Sequence, residues 1–117
     1  MSGAVSYHAG VAAETAVAAH YARAGLVLVA QRWRGAGGEI DLILRDGAVL
    51  VFVEVKKSRD FARALLQVTP RKAARIFAAA SEYLACEPRG QDTDTRFDVA
   101  LVAASGRIQV IENALGP

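Results

Sequence analysis

The sequence predicts a mixed α/β domain with elements in the order αβββαββ, in which helices pack on a largely antiparallel sheet. Three observations predict it. An Ala-rich stretch near the start and a capped segment past the middle read as helices. Five short runs rich in Val, Leu and Ile read as strands. Two joints between those runs, Asp46-Gly47 and Ser105-Gly106, carry the residues that tight hairpin turns favour.

Residues 9 to 24 are rich in Ala, the best helix former, and Gly25 ends them. Residues 26 to 31, Leu-Val-Leu-Val-Ala-Gln, read as a strand, and Arg32 to Gly38 as a basic, Gly-rich loop. Residues 39 to 45 and 48 to 56 read as two strands joined by Asp46-Gly47. Residues 57 to 68 fit neither period. Thr69-Pro70 has the form of a helix N-cap followed by proline at the first helical position, and that helix runs to about Ala85, before Pro88. Residues 86 to 95 are a polar loop, and Phe97 to Ala103 and Arg107 to Ile111 form a last hairpin. There is no internal repeat, low-complexity tract or linker, so residues 1 to 117 are expected to be one domain.

The bulk properties narrow the function classes. At 117 residues and 53% hydrophobic, the chain can bury a core, and 22% charged residues argue against global disorder. A single cysteine, Cys86, excludes an intramolecular disulfide and suits a reducing compartment. The opening Met-Ser-Gly-Ala-Val lacks the marks of a signal peptide, and the longest clearly apolar run, Ala48 to Val53, is too short to span a bilayer. A soluble, cytoplasmic protein without a membrane partner is expected. The net charge is only +2, but residues 56 to 75 hold seven of the 14 basic side chains, opposed only by Asp60. Such a block suits a polyanion, nucleic acid above all, although a charge run alone is most often a solvated face.

The chemistry concentrates on the central hairpin. With a period of two, Val49, Val51, Val53 and Val55 share one face, and Leu50, Phe52, Glu54 and Lys56 the other. Both faces begin apolar, so this strand is expected to be central, with Glu54 and Lys56 partly buried at its end. With a two-residue turn at Asp46-Gly47, Asp41 faces Phe52 and Glu39 faces Glu54, so Glu39, Asp41, Glu54 and Lys56 converge. Asp41 and Glu54 are then diagonal neighbours, roughly 7 Å apart. Like charges so placed are destabilising, and a divalent cation resolves the conflict: Mg²⁺ takes one or two carboxylates with water and phosphate. A lysine beside them can orient water or neutralise charge on a phosphodiester. The plain alternative is a charged hairpin end with a Glu–Lys pair.

At these residues the sequence resembles a known family. Gly38-Glu39-Ile40-Asp41-Leu42-Ile43 followed by Val51-Phe52-Val53-Glu54-Val55-Lys56 is similar to the YraN family of small bacterial proteins. So are Gly10 with Glu14, Trp33-Arg34, Val68-Thr69-Pro70-Arg71-Lys72, Arg96-Phe97-Asp98-Val99 and Ile111-Glu112-Asn113-Ala114. That resemblance implies a restriction-endonuclease-like fold of the PD-(D/E)xK type, related to Holliday-junction resolvases. It implies Asp41 and Glu54 as metal ligands and Lys56 as the catalytic lysine. The chain departs from the family pattern at Ala62-Arg63, where glycines are usual, and at Lys57-Ser58, in place of Thr-Arg. The function expected is a Mg²⁺- or Mn²⁺-dependent endonuclease acting on structured or single-stranded DNA in repair or recombination. A junction resolvase is expected to be a symmetric homodimer. The alternative is a non-catalytic nucleic-acid-binding or adaptor module.

Several residues keep two readings. Glu14 lies on the helical stripe Val11, Glu14, Ala18, Tyr21. It either faces the pocket, where related resolvases place a helix glutamate on the metal, or faces solvent. Glu39 is a metal ligand, a support behind the ligands, or a surface charge. Trp33 stacks on a base or, as favoured here, packs on the core. Arg34, Lys57, Arg59, Arg71, Lys72 and Arg75 are the candidate nucleic-acid contacts, the last three from the first turns of a helix whose amino end favours anions. His8 and His20 have no ligand-spaced partner, Cys86 reads as a partly buried inert thiol, and Arg96 and Asp98 as a structural pair.

Overall fold

The computed structural model describes residues 3 to 115, with side chains from Gly10 onward. It has helices α1 (Gly3–Arg23), α2 (Phe61–Leu66) and α3 (Pro70–Leu84). Its strands are β1 (Val27–Arg34), β2 (Glu39–Asp46), β3 (Val49–Lys57), β4 (Thr95–Val102) and β5 (Ile108–Ile111). The five strands form one sheet in the order β1-β2-β3-β4-β5. All neighbours are antiparallel except β3 and β4, which run parallel across the α2–α3 crossover. This is the expected mixed, largely antiparallel sheet flanked by helices, with one further short helix in the segment that fits neither period. Among the described residues no helix is long and apolar enough to cross a membrane.

The central strand behaves as its alternation predicts. Val51 and Val53 pack under α1 with Ala13, Val17, Tyr21, Leu42 and Leu44. Leu50 and Phe52 pack on the opposite face with Ile40, Ile43 and the α3 residues Ala79, Ala80 and Leu84. Helix α2 covers the same face farther along, with Ala64 against Val99 and Leu101. The result is three layers, with α1 on one side and α2 and α3 on the other. Each fully buried aliphatic side chain in them contributes roughly 1.5–3 kcal/mol. Thr69 caps α3 as expected: its side chain accepts the Lys72 N–H at 3.2 Å, with Pro70 in the first turn.

Three local expectations are corrected. The first strand extends to Arg34, so the loop before β2 is only residues 35 to 38. Trp33 pairs with Ile40 across the ladder, and this pairing carries the strand past the basic residues. Second, the hairpin turn is Gly47-Ala48, not Asp46-Gly47, because Asp46 pairs with Val49. Gly47 holds the left-handed φ of 59° that a side chain resists. The register therefore moves by two residues. A shift of two keeps each side chain on its face, and it brings Asp41 level with Glu54 instead of diagonal to it. Third, Cys86, after the end of α3, is exposed rather than partly buried.

Candidate active site

The β2–β3 ladder stops at Leu42↔Val53. Beyond it β2 stays paired to β1 and β3 to β4, so the two central strands part. Asp41 stands at this fork. Its Oδ2 accepts the Val55 backbone N–H at 2.8 Å, in place of a ladder carbonyl. Ile40 and Ile43 both pack toward α3, so the two-residue alternation of β2 breaks between them, at Asp41. A sheet that opens in this way admits groups from both of its faces. The cleft at the fork, about 320 Å³, is lined by Gly10, Ala13 and Glu14 of α1, by Asp41, and by Glu54, Val55, Lys56 and Lys57 of β3. Gln67 after α2 and Lys72 of α3 complete it.

Glu54 is only 4% exposed. Lys72 Nζ lies 2.8 Å from its Oε2 and Lys56 Nζ 3.9 Å. That oxygen is buried, and its contact with the Lys72 ammonium, though short, lacks good hydrogen-bond geometry. The Lys72 contact is therefore an ion pair by charge and distance, with acceptor capacity left over. Burial pushes the Asp41 carboxyl up to about 8, helped by the hydrogen bond and charge of Glu54 and opposed by the Val55 N–H. Burial acts upward on Glu54 too, but Asp41, Lys72 and Lys56 outweigh it and hold Glu54 below its ordinary value. The two acids thus share a proton that burial keeps on the pair at neutral pH. Lys56 is pushed down, chiefly by burial and then by Lys72, whereas Lys72 is held up, against burial, by Glu54.

This donor set fits a hard divalent cation in one respect. Two adjacent carboxylates, one with a buried oxygen that lacks a directed donor, match the one or two carboxylates that Mg²⁺ takes alongside water and phosphate. It does not fit an all-protein cage. Among the described residues no three His, Cys, Asp or Glu side chains converge on a metal position.

The other predicted ligands are engaged elsewhere. Glu14 is buried, 6% exposed, and faces the cleft, not solvent. Its Oε1 accepts Arg32 Nε at 2.9 Å. Burial raises its carboxyl, and Arg32 opposes the rise. Glu39 does not converge on the pair, because the break in alternation at Asp41 takes it off that line. It pairs with Arg34 at 2.8 Å. Arg34 and Arg75 line a separate groove of about 480 Å³ with residues 35 to 39. Lys57, shared with the cleft, and Arg59 line another, of about 360 Å³. Arg71 is exposed on α3. Lys72 belongs to the carboxylate pair itself.

Trp33 packs edge-to-face on Tyr83, with centroids 5.6 Å apart, half-buried against the core on the α3 side. His20 lines a shallow cavity near Tyr21 and Arg96, and the His8 side chain lies outside the described residues. Asp98, fully buried, accepts from Arg96, Tyr21 and the Asn113 N–H, so the Arg96–Asp98 pair is structural. A further cavity, about 510 Å³ between Phe77, Leu84, Phe97 and Leu115, is lined without any charged side chain.

Sequence reasoning missed Arg32 and Gln67 as site residues, and met Gly10 only through the family resemblance. Arg32 adopts φ 53°, unusual for a side-chain residue, and in that conformation reaches Glu14. A Cβ on Gly10 would come 2.9 Å from the Arg32 guanidinium, so a side chain at this helix position would push that guanidinium aside. Gln67 had no signal, since it sits in the aperiodic segment. The flanking Arg32-Trp33-Arg34 was visible, but its partner on α1 was not.

Known proteins share this arrangement of sequence along nearly the whole chain. A protein of Cereibacter sphaeroides named as a UPF0102 protein is 60% identical over 114 residues, which is 97% of each chain. One of Roseobacter denitrificans is 54% identical over 114 residues, 97% of this chain and 88% of its own. One of Dinoroseobacter shibae is 44% identical over 104 residues, 89% and 78% of the two. The family described as "Uncharacterised protein family UPF0102" matches residues 13–102, a span that holds Glu14, Arg32, Asp41, Glu54, Lys56 and Lys72. The chain belongs to the UPF0102 family.

Proposed function

We propose that this chain is a divalent-metal-dependent endonuclease of the PD-(D/E)xK type that hydrolyses phosphodiester bonds in structured or single-stranded DNA. The observation that carries this reading is the meeting of Asp41, Glu54 and Lys56 in one cleft at the β2–β3 fork. A fold does not need two buried acids side by side, and the proton they are forced to keep is a standing cost that a cation would relieve. The resemblance to the YraN family and its resolvase-like relatives supports the same reading, as do the basic residues Lys56, Lys57 and Lys72 that line the cleft.

Asp41 and Glu54 would hold Mg²⁺ or Mn²⁺, which when bound supplies a Lewis acid and a water of lowered pKa. Asp41 is braced by the Val55 N–H, so its carboxylate is oriented by the sheet. Lys56, on the same strand as Glu54, is placed to orient the attacking water or to offset the charge that grows on the phosphate oxygens. Its depressed proton affinity makes it a readier proton donor or acceptor than an exposed lysine. Lys57, Arg59 and Arg75 would guide the phosphate backbone across the cleft.

One observation favours a second reading, a nucleic-acid-binding module without catalysis. Lys72 already neutralises Glu54, and Arg32 already neutralises Glu14, so the acids are charge-balanced by the chain itself. The experiment that separates the readings is cleavage of labelled single-stranded, duplex, flap and four-way-junction DNA with Mg²⁺ or Mn²⁺, using wild type, Asp41→Asn and Lys56→Ala. Metal-dependent cutting lost in both variants supports the nuclease and ranks its substrates. Intact DNA binding without cutting, unchanged in the variants, supports the binding module. A junction preference would further call for a homodimer, to be read from the solution mass.

A further inference from the structure

Lys72 stands apart from the other basic residues of the 56–75 block. It is anchored by the Thr69 cap and Pro70 in the first turn of α3, which fixes the base of its side chain. From there its Nζ reaches the buried Glu54 Oε2 at 2.8 Å, closer than Lys56 of the same strand as Glu54 at 3.9 Å. Yet the Lys72 side chain is 41% exposed, against 18% for Lys56. A lysine stem with four rotatable bonds and one open side can leave that contact without disturbing the helix. Three residues on, Arg75 lies on the same side of α3 and lines the neighbouring groove. The position Lys72 would take on leaving Glu54 is therefore beside a basic groove suited to a phosphate backbone.

A close ammonium and a divalent cation compete for the same oxygen, since each needs Glu54 Oε2 at short range. We propose that Lys72 is an internal counter-ion that couples cation binding to phosphate binding: it leaves Glu54 for a DNA phosphate as the divalent cation takes its place. This rests on the metal-dependent reading of the site and specifies its regulation. Coupling of this kind is reciprocal. DNA that draws Lys72 away raises the affinity for the cation, and the cation raises the affinity for DNA by the same factor. The device keeps the carboxylate pair balanced until both ligands are present.

The test is Mn²⁺ binding, followed by the loss of the free-ion resonance signal, with and without a non-cleavable phosphorothioate DNA. The proteins are wild type, Lys72→Met, which keeps the stem and removes the charge, and Lys72→Arg, which keeps the charge. Wild type is expected to bind Mn²⁺ at least about 5-fold more tightly with DNA than without, within the usual range of coupling between sites. Lys72→Met is expected to bind Mn²⁺ more tightly than wild type without DNA, and to gain less than about 2-fold from DNA. Lys72→Arg should retain coupling, and thermal unfolding of each variant reads whether it is folded. Wild type and Lys72→Met binding Mn²⁺ equally, with equal gain from DNA, overturns the counter-ion role and leaves the metal site standing. No Mn²⁺ binding by wild type or Lys72→Met, with or without DNA, overturns the metal-dependent reading and this role with it.

Discussion

The Asp41 carboxylate accepts the Val55 backbone N–H at 2.8 Å, so an acidic side chain fills a place in the sheet that belongs to a main-chain carbonyl. The contact does two things at once. It satisfies a donor left open where β2 and β3 part, and it pins one acid of the site beside the other. The stability of the fork is thereby tied to the protonation of the site.

The pH dependence of folding follows from that tie. The ordinary Asp41 value of 3.8 rises to about 8 in the folded chain, so across this window the folded state holds a proton that the unfolded state has released. Stability from this group is full at the acid end and falls as pH rises toward 8. The raised Glu14 carboxyl acts in the same direction. Without divalent cation, wild type should lose at least about 1 kcal/mol between pH 5 and pH 8, less than an isolated group would, because the proton belongs to the Asp41–Glu54 pair. Asp41→Asn keeps an oxygen for the Val55 N–H but cannot titrate, so its profile should be flatter. Urea midpoints at three pH values check this, and a wild-type profile that rises through the window would contradict it.

Lys56→Ala should lower the cleavage rate by about 100- to 1,000-fold, as removal of one donor to a developing oxyanion does. The substitution leaves Lys72 on Glu54, so the fold and the affinity for DNA should change little. Single-turnover cleavage and DNA titration of the same preparation separate the two effects. A loss confined to DNA affinity would make Lys56 a binding residue only.

The grooves beside the cleft predict a salt signature. Lys57, Arg59 and Arg75 line them, and each phosphate contact contributes about 0.9 to the slope of log affinity against log salt on duplex DNA, or about 0.7 on single strands. Arg59→Gln and Arg75→Gln should each reduce the slope by nearly that amount. Fluorescence anisotropy over a salt series measures it, and an unchanged slope in either variant removes that residue from the interface.

Asp98 tests the scaffold beside the site. It accepts Tyr21 Oη at 2.8 Å, Arg96 Nε at 2.9 Å and the Asn113 N–H at 2.9 Å, while itself fully buried. Asp98→Ala leaves a buried hydroxyl and a guanidinium without their acceptor and should cost about 3–5 kcal/mol. It pairs with Val53, next to Glu54, but its side chain is bound to Tyr21, Arg96 and Asn113 and lines no part of the cleft, so folded protein should keep the pair's chemistry. Denaturant titration checks the cost, and a loss under about 1 kcal/mol would mean that water replaces the network.

Much of this protein was legible before its structure. The alternation of Val49 to Val55 against Leu50 and Phe52 determined a central strand covered on both faces, because a period of two assigns faces whatever the partner. Thr69-Pro70 determined where α3 begins, because capping is local chemistry. The acids and the lysine at Asp41, Glu54 and Lys56 were visible as residues whose burial needs a reason. Tertiary structure alone decided the rest. Moving the turn by one residue, and with it the register by two, brought Asp41 beside Glu54, a choice between turn geometries that Asp46-Gly47-Ala48 leaves open. The parallel pairing of β3 with β4 joins Glu54 to Val99 across the whole crossover, and no local pattern encodes a partner so distant. The fork then let α1 bring in Glu14 and α3 bring in Lys72, two charges whose place depends on where helices land on a sheet. Sequence names the groups that are costly to bury; packing decides which of them meet.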